Sequence, residues 1–303
     1  MVIIIGPSAS GKTDLAIKIA KKVGTNILSA DSKQIYKNLD YSTGKLPLSY
    51  KYKKQDGFWN IGGVKYFGYD IVNPDKKFSA GDFVDYANKI IELEAKKPII
   101  CGGTGLYLSA LLGNTALNKT PKNALLRKKL EVNSAEKLLQ ILTNLNYNTT
   151  DLNNSEKHNK QRLIRKIEIE QFKKENTNKR LCLNKVVPNK IIGLGNYVIV
   201  GLNVGNYDKK IENWVNENFK NIENEVSWLN KKYPKSLVFT GFIFSEMKRY
   251  INNEIDKKEA KQLIYYSYRQ YIKRQLTYFN KHFTNARWFL NQKDAKKYIL
   301  SLF

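Results

Sequence analysis

Histidine and cysteine are nearly missing from this 303-residue chain: two of each, His158 and His282, Cys101 and Cys182, far apart in the sequence. Such a set builds neither a disulfide framework nor a Cys/His zinc cluster. Cys101 closes the apolar run Pro98–Cys101 and reads as a small buried strand residue. Long apolar runs are missing as well. Only Val2–Ile5 precedes Gly6, without a basic leader, and no stretch approaches the roughly 18 consecutive apolar residues of a membrane span. A cytoplasmic protein with no membrane partner is expected. Acidic residues are scarce too: 27 Asp and Glu stand against 52 Lys and Arg, a net charge of +25. That surplus exceeds what solubility requires and sets up a field that draws polyanions, nucleic acid first, although part of it reflects lysine spread through turns as well. Neither internal repeats nor a Pro/Ser/Gly-rich linker divides the chain. Its length suits one large α/β core or a core with a smaller addition, and not disorder.

What is present begins at once. Gly6, Pro7, Ser8, Ala9, Ser10, Gly11, Lys12 and Thr13 follow the apolar Val2–Ile5 and precede a helical pattern at Leu15, Ala16, Ile19, Ala20 and Val23. Strand, G-x-x-x-x-G-K-T and helix in that order form a P-loop. Glycines let successive backbone N–H groups turn inward, the helix adds its positive dipole end, Lys12 reaches the outer phosphate and the Thr13 hydroxyl holds Mg²⁺. A chance match is a few-per-cent event for this composition, and the flanking strand and helix make it rarer.

Strand-like runs at Val2–Ile5, Asn26–Ser29 and Pro98–Cys101 alternate with helical patterns at 13–23 and 80–96. The expected fold class is α/β, a P-loop NTPase-like doubly wound parallel sheet, with ligands at the carboxyl ends of the strands. Asp31-Ser32-Lys33-Gln34 and Gly102-Gly103-Thr104-Gly105 then share a rim with the P-loop, although the glycine cluster could equally be a plain tight turn. From 114 to 186 the pattern turns to helices at Lys122–Val132, Ser134–Leu145 and Glu156–Lys174, an inserted helical domain within a catalytic core of 1–113 and 187–303. In its last helix Arg162, Arg165 and Lys166 share one face, with Ile164, Ile167 and Phe172 on the buried side. Strands resume at Lys190–Ile192 and Tyr197–Leu202, helices follow near 207–232, and a final long helix opens at Asp256-x-x-Glu259, carrying Arg269, Lys273 and Arg274 among tyrosines. The 19 tyrosines suit base stacking, though packing is their commoner use.

In order along nearly the whole chain, Gly6–Thr13, Ala30–Tyr36, Phe78–Phe83, Gly102–Tyr107, Gln161–Arg165, Tyr271–Thr277 and Trp288-Phe289 resemble the tRNA dimethylallyltransferases, also called tRNA isopentenyltransferases. The resemblance implies transfer of a dimethylallyl group from its diphosphate to the exocyclic amino group of the adenosine just 3′ of the anticodon. Dimethylallyl diphosphate and the tRNA anticodon stem-loop are the implied partners, Mg²⁺ the cofactor and a monomer the expected state. It further implies that Asp31, Ser32, Lys33, Gln34 and Thr104 contact the target nucleotide, that Arg127 lies near the diphosphate or the tRNA, and that Gln161, Arg162, Leu163, Ile164 and Arg165 hold the stem-loop. Arg269, Lys273 and Arg274 add backbone contacts. Two segments depart from the family pattern: Tyr66-Phe67 replaces paired histidines, with Asp70 retained, and Ile243-Phe244-Ser245-Glu246 replaces Gly-Tyr-(Lys/Arg)-Glu.

The chemistry fits these residues. Allylic diphosphate ionises toward a pyrophosphate leaving group, whose developing charge the P-loop amides, Lys12 and a Thr13-bound Mg²⁺ would neutralise. An adenine amine is a weak nucleophile, so a carboxylate must accept its proton, and Asp31 is the candidate. Asp31 could instead be a Walker-B-like Mg²⁺ ligand, since it too follows an apolar strand. The alternatives for the whole chain are an adenylate isopentenyltransferase acting on free nucleotides, a small-molecule kinase, and a catalytically silent RNA-binding protein.

Overall fold

The computed structural model describes residues 1–46, 49–114, 120–175 and 195–303; the strand expected at Lys190–Ile192, and Cys182, lie outside them. Eight strands form one sheet: β1 (Val2–Ile5), β2 (Ile27–Ser29), β3 (Tyr52–Gln55), β4 (Phe58–Ile61), β5 (Val64–Phe67), β6 (Ile99–Gly102), β7 (Val198–Leu202) and β8 (Arg287–Phe289). Their order is β3-β4-β5-β2-β6-β1-β7-β8. Every pairing from β5 through β8 is parallel. Continuous apolar composition explains the centre: all four residues of β1 and of β6 are buried, as strands covered on both faces must be. At one edge the sheet turns antiparallel, β3 against β4 and β4 against β5. This three-stranded extension had no sequence expectation. Its turns are built on Gly57, Gly62 and Gly63, all at positive φ, where hairpins need left-handed residues.

Helix α1 (Lys12–Val23) leaves the P-loop and ends at Gly24, whose left-handed conformation lets its N–H bond the Ala20 carbonyl. Helix α2 (Ala80–Leu93) starts at a capping box between Ser79 and Asp82. Helix α3 (Gly105–Leu111) follows β6 directly. The chain divides into two compact units, Met1–Thr115 with Asn189–Phe303, and Ala116–Pro188.

The second unit holds α4 (Ala124–Glu131), α5 (Ala135–Asn144), α6 (Asn154–Lys157) and α7 (Lys160–Glu175) around a core that includes Leu130, Leu138, Leu142, Leu163 and Ile167. The single helix expected at Glu156–Lys174 is two, because α6 closes at His158 and Asn159 accepts the Arg162 N–H to open α7. Phe172, expected on the buried side, is only half-buried.

In the first unit, α8 (Tyr207–Lys232), α9 (Phe242–Ile251) and α10 (Lys257–His282) bury Ile211, Val226, Leu229, Phe244, Met247 and Ile264 together with Ile35, Tyr36 and Leu39 from the segment after β2. Helix α11 (Gln292–Leu300) packs Ala295 and Ile299 against the α1 side of the sheet. Asp256 caps α10 by accepting the Glu259 N–H.

Candidate active site

The P-loop is shaped by close approaches. A Cβ on Gly6 would stand 2.5 Å from the Leu202 carbonyl oxygen of β7, so this turn can pass the sheet only as glycine. Ala9 and Gly11 both adopt positive φ, at 61° and 83°; for an alanine that is strain, held in place by the loop around it. The Lys12 ammonium lies back in the loop and donates to the Pro7 carbonyl at 3.0 Å. Burial holds this ammonium below the usual lysine value, while Cys101 and Asp31 pull the other way. Ser10 Oγ is buried without a hydrogen-bond partner, close behind Gly6. The Thr13 hydroxyl meets the Tyr66 hydroxyl, and Tyr66, fully buried in β5, has its own proton locked on by desolvation. Tyr66 is thus where one departure from the family pattern meets the Thr13 hydroxyl.

The other two rim segments close on the P-loop as their strand ends require. Asp31 Oδ1 accepts the Lys33 N–H at 2.9 Å. Thr104 Oγ1 accepts the Ser32 N–H at 2.9 Å and donates to Ser32 Oγ at 3.2 Å, tying the β2 and β6 ends together. The glycines of the Gly102-Gly103-Thr104-Gly105 turn are required by close packing. A Cβ on Gly102 would lie 2.2 Å from the Ala30 oxygen, and one on Gly105 would lie 2.2 Å from the Tyr278 ring.

Gln275 of α10 joins these parts, a residue to which the sequence assigned no role. Its Oε1 accepts the Ser8 N–H of the P-loop and its Nε2 donates to the Gly103 carbonyl, both at 2.9 Å. A lone amide inside a helix carries no periodic signal; only its burial at 5 % exposure marks it, and that needs the fold.

A cavity of about 450 Å³ opens beside Asp31 and Ser8. Trp214, Phe242, Phe244, Tyr268 and Tyr271 wall it, with Lys33 and Arg274 as its cations. The Tyr268 hydroxyl meets Ser8, and burial raises it to about 12; Tyr271 meets Thr104 and is raised as well. Both phenols therefore stay protonated, able to donate. Burial also lowers the Lys33 ammonium against the pull of Asp31. This aromatic wall comes from α8, α9 and α10, late in the chain, and no local spacing announces it. The second departure from the family pattern, Ile243-Phe244-Ser245, falls on this wall.

Lys273 and Arg274 line a second hollow of about 560 Å³ with Lys281 and His282, all four carried by α10. Arg269 is exposed and pairs with Asp208 at 2.8 Å.

The insertion residues divide. Gln161 and Arg162 are exposed on α7. Leu163 and Ile164 are corrected: at 0 % and 5 % exposure they are core, so their side chains hold the helix and do not reach an RNA. Arg127 and Arg165 converge on the buried Glu168. Arg127 forks onto it at 2.9 and 2.6 Å, Arg165 pairs with the same carboxylate, and the Asn123 N–H adds a bond at 2.5 Å. Arg165 also donates to the Thr120 carbonyl at 2.8 Å. Gln34 likewise spends its amide inside the protein, accepting from Ser29 Oγ at 2.9 Å and donating toward the Thr43 and Gly44 carbonyls.

Among the described residues no group of three or more His, Cys, Asp or Glu could hold a metal unaided. An ion here would share its shell with bound phosphate oxygens, which suits Mg²⁺ and the hydroxyl of Thr13. Nor is any helix among the described residues long and apolar enough to cross a membrane.

Comparison with known proteins places this geometry. The family model described as IPP transferase matches residues 34–282, and that described as isopentenyl transferase matches residues 1–59. A protein of Acetivibrio thermocellus named tRNA dimethylallyltransferase is 34% identical over 301 residues, spanning 95% of this chain and 90% of its own. One of Prochlorococcus marinus with the same name is 33% identical, spanning 100% and 96%. Among solved structures, the tRNA delta(2)-isopentenylpyrophosphate transferase of Staphylococcus epidermidis superposes with a TM-score of 0.66 at 28% identity, covering 99% of this chain and 97% of that one. A eukaryotic dimethylallyltransferase acting on tRNA, at 19% identity and a TM-score of 0.65, shares the fold.

Proposed function

The chain belongs to the IPP transferase family, and from that membership we propose that it is a tRNA dimethylallyltransferase, moving a dimethylallyl group from dimethylallyl diphosphate to the exocyclic amine of the adenosine 3′ of the anticodon. One observation carries this assignment: a phosphate-binding loop, a carboxylate and an aromatic-walled cavity meet at Ser8 and Asp31. The naming of full-length relatives supports it.

In the proposed reaction the P-loop amides, the buried Ser10 hydroxyl and Lys12 grip the diphosphate. As the bond between allylic carbon and bridging oxygen breaks, its electron pair goes to that oxygen, and Lys12 with the helix N-terminus stabilises the charge. Mg²⁺ held at Thr13 would supply further charge neutralisation on the leaving diphosphate. The adenine, lifted from the anticodon loop, stacks against the ring faces of the cavity, at lower cost than from a duplex. Its amine forms the new bond to the allylic carbon and passes one proton to Asp31. Ser32, Lys33 and Thr104 orient the base. Gln34 acts through the fold of its own loop, and Arg127 through the fold of the insertion.

Arg162, Gln161, Arg269, Lys273 and Arg274 hold the RNA through its backbone, where arginine and lysine replace condensed counterions. The insertion serves as the tRNA-binding part and the protein acts as a cytoplasmic monomer. The test compares acceptors: with dimethylallyl diphosphate present, a synthetic anticodon stem-loop is modified and free AMP is not. Equal modification of AMP would make the chain an adenylate isopentenyltransferase, and phosphoryl transfer from ATP would make it a kinase.

A further inference from the structure

The segment between β2 and β3 lines the acceptor cavity through Ser42, Thr43 and Gly44. Among its described residues it has turns and one bridge, Tyr36 with Val72, but no helix or strand, and two charges of opposite sign, the buried Lys45 and the half-buried Glu225, hold its shape. Lys45, whose side chain has no exposure, lies 2.5 Å from Asp70 and 3.2 Å from Asp40 and donates to the Tyr36 carbonyl at 2.5 Å. It anchors the segment to the end of β5. Ile35 and Leu39, both buried, fix its first half against the helices. What remains is the turn at 40–42, which faces α8.

There Glu225 stands. Its Oε1 accepts the N–H groups of Asp40 at 2.6 Å and Tyr41 at 2.8 Å, and its Oε2 accepts the Ser42 N–H at 2.9 Å and the Ser42 hydroxyl at 2.7 Å. One carboxylate thus satisfies three successive backbone donors, bonds made stronger by its charge. The next two carbonyls, of Thr43 and Gly44, receive the Gln34 amide, and Gln34 is bonded in turn to Ser29 at the end of β2, two residues before Asp31. A shift at Glu225 is therefore passed along a connected set of bonds to the turn that carries the proposed base.

We propose that Glu225 is a positioning residue for the acceptor side of the reaction: by collecting the 40–42 amides it sets the Ser42–Gly44 wall against which the target nucleotide lies. The inference rests on the transfer reaction proposed above. Lys45, Asp70 and the buried Ile35 and Leu39 keep the segment folded without Glu225, so its removal loosens the wall locally. The P-loop takes no bond from this network, so the diphosphate side stays as it was.

Glu225→Gln in the full-length protein tests this, because the amide keeps the volume and the helix but turns an NH₂ toward backbone donors. With dimethylallyl diphosphate saturating, kcat/KM for the synthetic anticodon stem-loop falls by roughly tenfold or more, the scale of losing hydrogen bonds to a charged group. KM for dimethylallyl diphosphate changes less than about twofold, within the scatter of such mutant comparisons. Ser42→Ala lowers the stem-loop value by less, and the double variant is no worse than Glu225→Gln alone, since Ser42 acts through the same carboxylate. Equal losses on both substrates, or a lowered Tm with both KM values unchanged, would make Glu225 a merely structural brace and overturn the proposal. So would additive effects of the two substitutions. Wild-type protein that modifies no stem-loop would instead defeat the transfer reaction itself.

Discussion

Lys12 donates to the Pro7 carbonyl of its own loop, and burial lowers its affinity for a proton. A diphosphate would supply the negative charge that this buried ammonium calls for, so binding and the charge on Lys12 support each other. Lys12→Ala removes the ammonium at this helix start and is expected to lower turnover by at least about 10²-fold, the usual scale for one electrostatic stabiliser. Steady-state transfer to a stem-loop measures it; near-normal turnover would remove the P-loop from the mechanism. The shared rim of Lys12, Thr13 and Asp31 was legible in the sequence, because a phosphate loop and a strand-end acid are local patterns, while Thr104 was singled out by the family resemblance. Gln275 and Glu225 were not legible. Each works by bridging segments far apart in the chain, and a polar side chain in a helix looks the same whether it faces water or a backbone amide.

The elements show the same division. Strands β1, β2, β6 and β7 and helices α1 and α2 follow from apolar runs and capping chemistry, and the sequence places them within a few residues. The β3–β4–β5 extension went unread because β3 is wholly exposed and lysine-rich, without the alternation that marks a half-buried strand. In the insertion, the family resemblance put Arg127 near the diphosphate or the tRNA and Arg165 on the stem-loop; in the structure both also pair with Glu168, joining α4 and α7. The two guanidinium groups and the Asn123 N–H hold the Glu168 carboxyl at about 2 against the desolvation that opposes them. A carboxyl depressed in the folded state adds stability that is complete above its unfolded value and is lost as pH falls toward the folded one. The insertion should therefore loosen between roughly pH 4.5 and 2, the window between the unfolded and folded values of this carboxyl. Glu168→Gln should bring that loosening to neutral pH, at a cost of about 3–5 kcal/mol for breaking a buried ion pair from one side. Amide exchange of α4 and α7 against pH reads both; protection unchanged in the variant would show the cluster to be idle.

At the scale of the molecule the charge of +25 is the feature that most directly concerns RNA. Residues able to use it are exposed cations not committed to a buried partner, such as Arg162 and the Lys273 of the α10 hollow. Neutralising Arg162 and Lys273 together should flatten the plot of log affinity for tRNA against log salt by about 0.7 to 0.9 for each RNA phosphate that these side chains had neutralised. An unchanged slope in a filter-binding or anisotropy titration would mean that these cations are merely solvated. The same titration on Arg165→Gln should report a destabilised insertion first, because that guanidinium is committed to Glu168 and the Thr120 carbonyl.

The transfer itself is tested most directly by giving the wild-type protein and its Asp31→Asn variant dimethylallyl diphosphate, Mg²⁺ and bulk tRNA, then mapping the prenyl group by digestion and mass spectrometry. Wild-type protein should place one dimethylallyl group on the exocyclic amine of the adenosine 3′ of the anticodon. Asp31→Asn should bind tRNA as tightly while its single-turnover rate falls by roughly 10²- to 10⁴-fold, as expected when a general base is lost. If the variant instead loses Mg²⁺-dependent diphosphate binding and keeps its chemical rate, Asp31 is a metal ligand. If tRNA from the wild-type reaction carries no added prenyl group at that adenosine, the account is wrong.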